Sequence, residues 1–266
     1  MKVTLRILRN NESTNNQPEY KDYPVEVEPT DRILDALQYI TWNVDGTLGY
    51  RRSCAHGVCG SDAMRINGRE RLACKVLFQD VMSEKRWVRD TGKKATQIEE
   101  ETSGDDVVIT VEPLMHLPVQ RDLMVNQTKF FENFRAVKPW IVPREEPGEK
   151  EYVQSEEEHV LFDEATKCIN CAACYSACPI LDENPDFIGP SALVHAARFV
   201  RDSRDKGLSE RLEALDNPNG LWACTNQFEC TKVCPRDIKI TKLINLTKRE
   251  LTKYRESRGE SVNDGK

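Results

Sequence analysis

Ten cysteines in 266 residues set the chemistry open to this chain, because their spacing is that of metal ligands. Cys168-Ile169-Asn170-Cys171-Ala172-Ala173-Cys174-Tyr175-Ser176-Ala177-Cys178-Pro179 reads C-x2-C-x2-C-x3-C-P. Three thiolates on one tight turn reach three corners of a cubane iron–sulfur cluster, and the fourth, before its proline, serves a second cluster. That reading requires a partner run further on. Cys224, Cys230 and Cys234-Pro235 supply it, with Gln227 standing where a second cysteine would be. The two runs are expected to cross over. Cys168, Cys171, Cys174 and Cys234 form a four-thiolate set suited to [4Fe–4S]. Cys178, Cys224 and Cys230 form a three-thiolate set suited to [3Fe–4S], since Gln227 is no thiolate.

A third group precedes these: Cys54-x4-Cys59-x2-Asp62, with Cys74 further along. A two-iron cluster of the plant type uses C-x4-C-x2-C and a distant fourth cysteine, and here Asp62 takes the third position. A carboxylate oxygen is a harder ligand than a thiolate. It favours the oxidised cluster, so the expected potential lies below that of an all-thiolate site. Gly57 and Gly60 let bare backbone approach the sulfides and donate N–H bonds to them. The three sets take three, four and three cysteines, which accounts for all ten. A zinc site built from the same runs would strand several thiols and suits the x4 spacing poorly.

The elements that must hold these residues follow from periodicity. Val3, Leu5 and Ile7 alternate with polar residues, as do Tyr23, Val25 and Val27, and both stretches read as strands joined by a polar Asn10–Asn16 loop. Thr30 reads as the N-cap of a helix carrying Ile33, Leu34, Leu37 and Ile40. Gly46 to Ala73, rich in Gly, Cys and Arg, reads as a ligand loop, and Val107–Val111 as a late strand ended by Glu112-Pro113. This is a small α+β domain. Beyond Pro118 the pattern turns helical, first with Phe130, Phe131 and Phe134 between Asn126 and Pro139, then over Ser191–Val200 and Leu208–Leu215. Pro143–Glu158 carries seven glutamates and two prolines and reads as a solvated connection or an acidic docking surface. The last apolar stripe runs from Ile240 to Tyr254, and Arg236–Arg258 holds eight basic residues against three acids. It is read as a terminal helix with a solvated basic face, or as a basic face near anionic lipid headgroups or an acidic partner.

Composition narrows the classes. A net charge of −6 argues against a nucleic-acid partner. Mean hydropathy is −0.61, and no apolar run approaches the roughly 18 residues needed to span a bilayer. The first residues run straight into an alternating pattern without a signal or transit segment, so a mature chain in a reducing compartment is expected. His56, His116, His159 and His195 are read as surface or packing residues.

Together these residues resemble the iron–sulfur subunit of succinate dehydrogenase and fumarate reductase over nearly the whole chain. The matching stretches are Arg52-Ser53-Cys54-Ala55-His56-Gly57-Val58-Cys59-Gly60-Ser61-Asp62-Ala63-Met64, Leu72-Ala73-Cys74, Pro118–Leu123, Lys138-Pro139-Trp140, the first cysteine run, Asp202–Asp205 and Leu221–Pro235. The resemblance implies an α+β chain with a β-grasp [2Fe–2S] ferredoxin domain over 1–116 and a helical domain of bacterial ferredoxin type over 117–266. It implies a flavoprotein partner with covalent FAD, integral-membrane anchor subunits, with or without haem, and a place on the cytoplasmic face of a bacterial inner membrane. Electrons would pass singly from flavin through [2Fe–2S], [4Fe–4S] and [3Fe–4S] to a quinone such as menaquinone, with no dicarboxylate chemistry on this chain. By similarity, Pro179, Trp222, Thr225 and Lys248 would line the quinone side. Two departures fall there. No paired tryptophans follow Pro179, and Thr225 stands where many succinate-oxidising relatives have histidine; the Asn184–Pro190 stretch and the Trp222–Thr225 region resemble fumarate reductases and menaquinone-linked enzymes more. The alternatives are a fumarate reductase subunit running in reverse, a stand-alone ferredoxin-like carrier, and the iron–sulfur subunit of another flavin enzyme.

Overall fold

The computed structural model describes residues 1–11, 17–97, 107–143 and 151–259. They form two compact units, Met1–Gln127 with Ile169–Ala177, and Thr128–Cys168 with Cys178–Lys266.

The first unit is built on β1 (Lys2–Arg9), β2 (Glu19–Glu26), α1 (Ile33–Asn43), β3 (Ala63–Ile66) and β4 (Arg69–Leu72). There follow α2 (Phe78–Val81), the short strands β5 (Trp87–Val88) and β6 (Thr96–Gln97), then β7 (Val107–Glu112), β8 (Val119–Arg121) and β9 (Met124–Val125). Five strands make one sheet in the order β2-β1-β7-β3-β4. Within it β1 runs antiparallel to β2 and parallel to β7, with Val3 opposite both Val25 and Val107. Alternation along β1 buries Val3, Leu5 and Ile7, and the helical stripe of α1 buries Ile33, Leu34, Leu37 and Ile40 with Ile109, Val111 and Phe78. Each such side chain contributes roughly 1.5–3 kcal/mol by leaving water. A mixed sheet holding one helix is the β-grasp arrangement.

Two local expectations change. The Gly46–Ala73 stretch is not loop throughout, because it contains the β3–β4 hairpin. Its turn is Asn67-Gly68, both in the left-handed region with φ of 49° and 75°, as a two-residue hairpin of this type demands. A Cβ on Gly68 would lie 1.9 Å from the Trp87 carbonyl oxygen. Thr30 is not the cap of α1 either. Asp35 accepts the Arg32 N–H at 3.0 Å, so the cap comes from inside the first turn and the helix starts at Ile33. Residues 12–16 of the Asn10–Asn16 loop lie outside the described residues.

The second unit is helical: α3 (Thr128–Ala136), α4 (Glu156–Thr166), then, after α5 (Ala173–Ser176) of the first unit, α6 (Ile180–Glu183), α7 (Pro190–Val200), α8 (Leu208–Leu215), α9 (Glu229–Lys232) and α10 (Ile240–Ser257). Helix α7 is its hub, burying Ala192, Leu193, Val194, Ala196 and Ala197 and packing on α3, α4, α8 and α10. In the acidic Pro143–Glu158 stretch, residues 144–150 lie outside the described residues. Its end is helix, where Ser155 and Glu158 cap α4 reciprocally at 2.9 and 3.2 Å. Arg211 is fully buried, paired with Asp205 at 2.7 Å and donating to the carbonyls of Val137, Lys138 and Trp140. Among the described residues no helix is long and apolar enough to cross a membrane.

Candidate metal centres

The first candidate site hangs between the start of α1 and the ends of the β3–β4 hairpin. Leu34 N–H donates to the Ala73 carbonyl and Ile33 N–H to that of Val76, fixing the backbone on both sides of Cys74. Ala73 N–H donates to the Asp62 carbonyl, which ties the hairpin's two ends together. Arg32 reaches over to the Ala55 carbonyl at 2.9 Å and steadies the loop of Cys54 and Cys59. Further back, buried Asp122 accepts from Arg9, Asn10, Asn11 and Gly49, anchoring the chain that leads into that loop.

Inside this frame the backbone faces sulfur with its donors. Val58 and Cys59 N–H groups lie 3.4 and 3.3 Å from Cys54 Sγ. Backbone hydrogen bonds from His56, Cys59 and Val58 bring the Cys54 thiol down to about 6. Burial first, then the neighbouring Asp62 carboxylate, pushes Cys74 up to about 12. Asp62 is 2% exposed. Its Oδ2 accepts the Cys74 N–H at 2.6 Å, while Oδ1 is buried with no hydrogen-bond partner among the described residues. A buried carboxylate oxygen without a donor is costly to keep, and a ferric ion is the partner such an oxygen fits. The donor set of three thiols, one carboxylate and inward N–H groups suits an anionic cluster.

The second and third loops repeat one backbone. Asn170 and Ala172 are left-handed at the second and fourth positions after Cys168, and Asn226 and Phe228 are left-handed at the same positions after Cys224. Gln227 therefore occupies the backbone place that Cys171 has in the first run. Left-handed residues alternating with right-handed ones make N–H concavities that take anions, and both runs carry the left-handed members of such a pattern. In Phe228 this conformation is imposed on a bulky side chain, a strain that the surrounding fold must hold.

Cys171 and Cys174 are each 8% exposed in the first unit, whose segment Ile169–Ala177 sits against β4. Ser176 donates to Glu70 and accepts the Met115 N–H, both at 2.8 Å. The first cysteine loop comes close to this segment at Gly60, which has φ of 70°. An added Cβ there would lie 2.7 Å from Cys171 Cβ, so only glycine allows the approach.

Cys168 and Cys234 are half-buried in the second unit, Cys168 with its sulfur 4.0 Å from the Ser191 hydroxyl. Cys178, Cys224 and Cys230 lie near one another there. Burial, joined by Cys230 and Cys224, pushes the Cys178 thiol up to about 12, and burial with nearby Cys224 raises Cys230 to about 11. Of the residues expected on the quinone side, Lys248 donates to the Cys224 carbonyl at 2.8 Å and stands 5.9 Å over the Trp222 ring. Trp222 donates to Asp216, exposed Thr225 accepts from Gln227 Nε2, and buried Pro179 opens α6 directly after Cys178.

Of the histidines, His56 has its Nδ1 2.6 Å from the Cys54 carbonyl and His116 contacts Arg89. His159 packs edge-on to Phe162 and His195 to Phe134, and burial lowers His195 to about 4.

Sequence reasoning overlooked the hydroxyls of Thr231 and Thr241 beside Cys230. Nothing in the spacing of the run points to Thr241, eleven residues on.

Residues 4–132 match the family model of the 2Fe-2S iron-sulfur cluster binding domain, and residues 164–238 that of the 4Fe-4S dicluster domain. The fumarate reductase iron-sulfur subunit of Mycobacterium tuberculosis is 35% identical over 239 residues, covering 89% of this chain and 87% of that one. The succinate dehydrogenase iron-sulfur subunit of Coxiella burnetii is 34% identical over 258 residues, covering 96% and 99%. A solved structure of the Mycobacterium smegmatis Sdh1 complex in the apo form contains a chain similar to this one, with a TM-score of 0.77, 29% identity and coverage of 95% and 96%. With two cluster-binding domains, and with full-length relatives bearing both enzyme names, the chain belongs to the family of electron-transferring iron–sulfur subunits of succinate dehydrogenase and fumarate reductase.

Proposed function

We propose that this chain wires a flavoprotein's FAD to a quinone at a membrane anchor through three clusters, passing one electron at a time. Cys54, Cys59, Asp62 and Cys74 hold [2Fe–2S]. Cys168, Cys171, Cys174 and Cys234 hold [4Fe–4S], an assignment that rests on the spacing of the two runs. Cys178, Cys224 and Cys230 hold [3Fe–4S]. Along the sequence the [2Fe–2S] and helical domains are assigned to 1–116 and 117–266, while the compact units part after Gln127 and the first takes back Ile169–Ala177; Pro179, Trp222, Thr225 and Lys248 face the quinone. When bound, the clusters supply the redox chemistry. The protein's part is to fix their ligands, surround their sulfurs with N–H and O–H donors and keep water away.

The observation that carries this reading is the paired backbone of the two cysteine runs, with Gln227 at the place of Cys171. A cluster loop that keeps its shape but lacks one thiolate supports a three-iron centre as the last in the chain. Peripheral attachment to the cytoplasmic face of a bacterial inner membrane, through anchor subunits, goes with this reading. Succinate oxidation is the leading direction. The Asn184–Pro190 stretch and the Trp222–Thr225 region favour the second reading, fumarate reduction with menaquinone. Purification from membranes tests the proposal. The chain should come out with a larger flavoprotein and an integral anchor, and added quinone should reoxidise its succinate-reduced clusters. Recovery as a lone polypeptide carrier would refute it.

A further inference from the structure

Cys230 is met by a hydroxyl relay that, among the described residues, neither of its two companions shares. Cys178 is approached by backbone donors of Ile180 and Leu181, and the Cys224 sulfur lies 4.0 Å from Asn226 Oδ1, an acceptor. The Cys230 sulfur lies 3.6 Å from Thr241 Oγ1, which lies 3.1 Å from Thr231 Oγ1. The Thr241 N–H donates back to Thr231 Oγ1 at 3.0 Å. Thr241 is 1% exposed and Cys230 is 7% exposed.

In the free thiol either group of the Cys230–Thr241 pair can donate. A sulfur bound to iron carries no proton, so ligation leaves the Thr241 hydroxyl as the only donor between them. Thr241 Oγ1 then accepts the Thr231 hydroxyl proton, and the whole relay points one way, Thr231 to Thr241 to Cys230. Thr241 is also the second residue of the eighteen-residue helix α10, whose positive end lies at this point. We infer that the Thr231–Thr241 relay is a potential-setting device of the terminal cluster, stabilising its reduced, more negative state through the Cys230 sulfur. This rests on the three-iron assignment of Cys178, Cys224 and Cys230. Hydrogen bonds to cluster sulfurs are among the terms that set potential, and a dry setting strengthens them. By this device the last centre is held high enough to draw electrons along the wire.

The test is a redox titration of the purified complex, followed by paramagnetic resonance. Thr241→Val keeps the shape and removes the hydroxyl. It should keep the three-iron signal and lower its midpoint, with the reduced-to-oxidised ratio at fixed potential falling roughly tenfold, which is 59 mV for one electron. Thr241→Ser should hold the native midpoint. Thr231→Val, at the far end of the relay, should move it in the same direction by less. A full signal at an unchanged midpoint in Thr241→Val overturns the inference. If Thr241→Val fails to load its cluster, Thr231→Val decides, and an unchanged midpoint there overturns it too. A native complex with no three-iron signal refutes the assignment underneath, and the relay with it.

Discussion

Asp62 is given two tasks by its geometry, and substitution separates them. Its Oδ2 caps the Cys74 N–H at 2.6 Å, and its Oδ1 is buried with no hydrogen-bond partner among the described residues, as an iron ligand's would be. Asp62→Cys keeps an anionic ligand, of softer kind, and loses the cap. The buried Cys74 N–H then has no acceptor, at a cost of about 1–3 kcal/mol in the stability of this loop. The thiolate supports reduced iron better than a carboxylate does. The two-iron signal should therefore persist with its midpoint raised, by 59 mV for each tenfold gain in the reduced-to-oxidised ratio of a one-electron couple. Asp62→Asn does the reverse. Its amide oxygen can still cap Cys74, but the anion is gone, so loading of the two-iron cluster should fall while the loop remains folded. Redox-titrated paramagnetic resonance with iron analysis reads both variants. An unchanged or lowered midpoint in Asp62→Cys would refute the ligand role. Full loading at the native midpoint in Asp62→Asn would reduce Asp62 to a backbone cap.

Gln227→Cys places a thiol where Cys171 stands in the first run, and it should convert the proposed three-iron centre to a four-iron one; an undiminished three-iron signal would contradict the backbone correspondence. Arg211→Met leaves the Asp205 charge buried, with the Val142 and Gly207 N–H groups as its remaining donors among the described residues, which should cost about 3–5 kcal/mol in denaturant unfolding; a loss under about 1 kcal/mol would contradict it. Burial pulls the Asp202 carboxyl upward, but Arg204 and Arg198 more than offset this and hold it well below the usual carboxylate range. A folded-state pKa below the unfolded one gives stability that is present above about pH 4 and lost as pH falls further. Asp202→Asn should therefore flatten the acid limb of Tm against pH, and an equally steep limb would refute the assignment.

What the sequence disclosed depended on covalent order. A run such as Cys168–Cys178 fixes thiols on one stretch of backbone, so spacing alone points to a cluster, and the alternation of Val3, Leu5 and Ile7 likewise points to a half-buried strand. The β3–β4 hairpin was hidden because Asn67-Gly68 sits among the glycines and cysteines of a presumed loop, although the dipeptide is itself a turn signal. The left-handed Phe228 could not be foreseen from residue type, since bulky residues avoid that region and only the cluster loop imposes it. The Cys74 N–H bond of Asp62 and the hydroxyls on Cys230 arise between separated segments, and periodicity carries no trace of such contacts.

Every thiol is proposed to hold iron, with one corner, at Gln227, left open. A redox-titrated paramagnetic resonance spectrum of the purified complex, taken with iron analysis, addresses this most directly. Three centres of two-, four- and three-iron type, with about nine iron atoms per chain, are the predicted result. Two four-iron centres beside the two-iron one, or iron far below that sum, would contradict it.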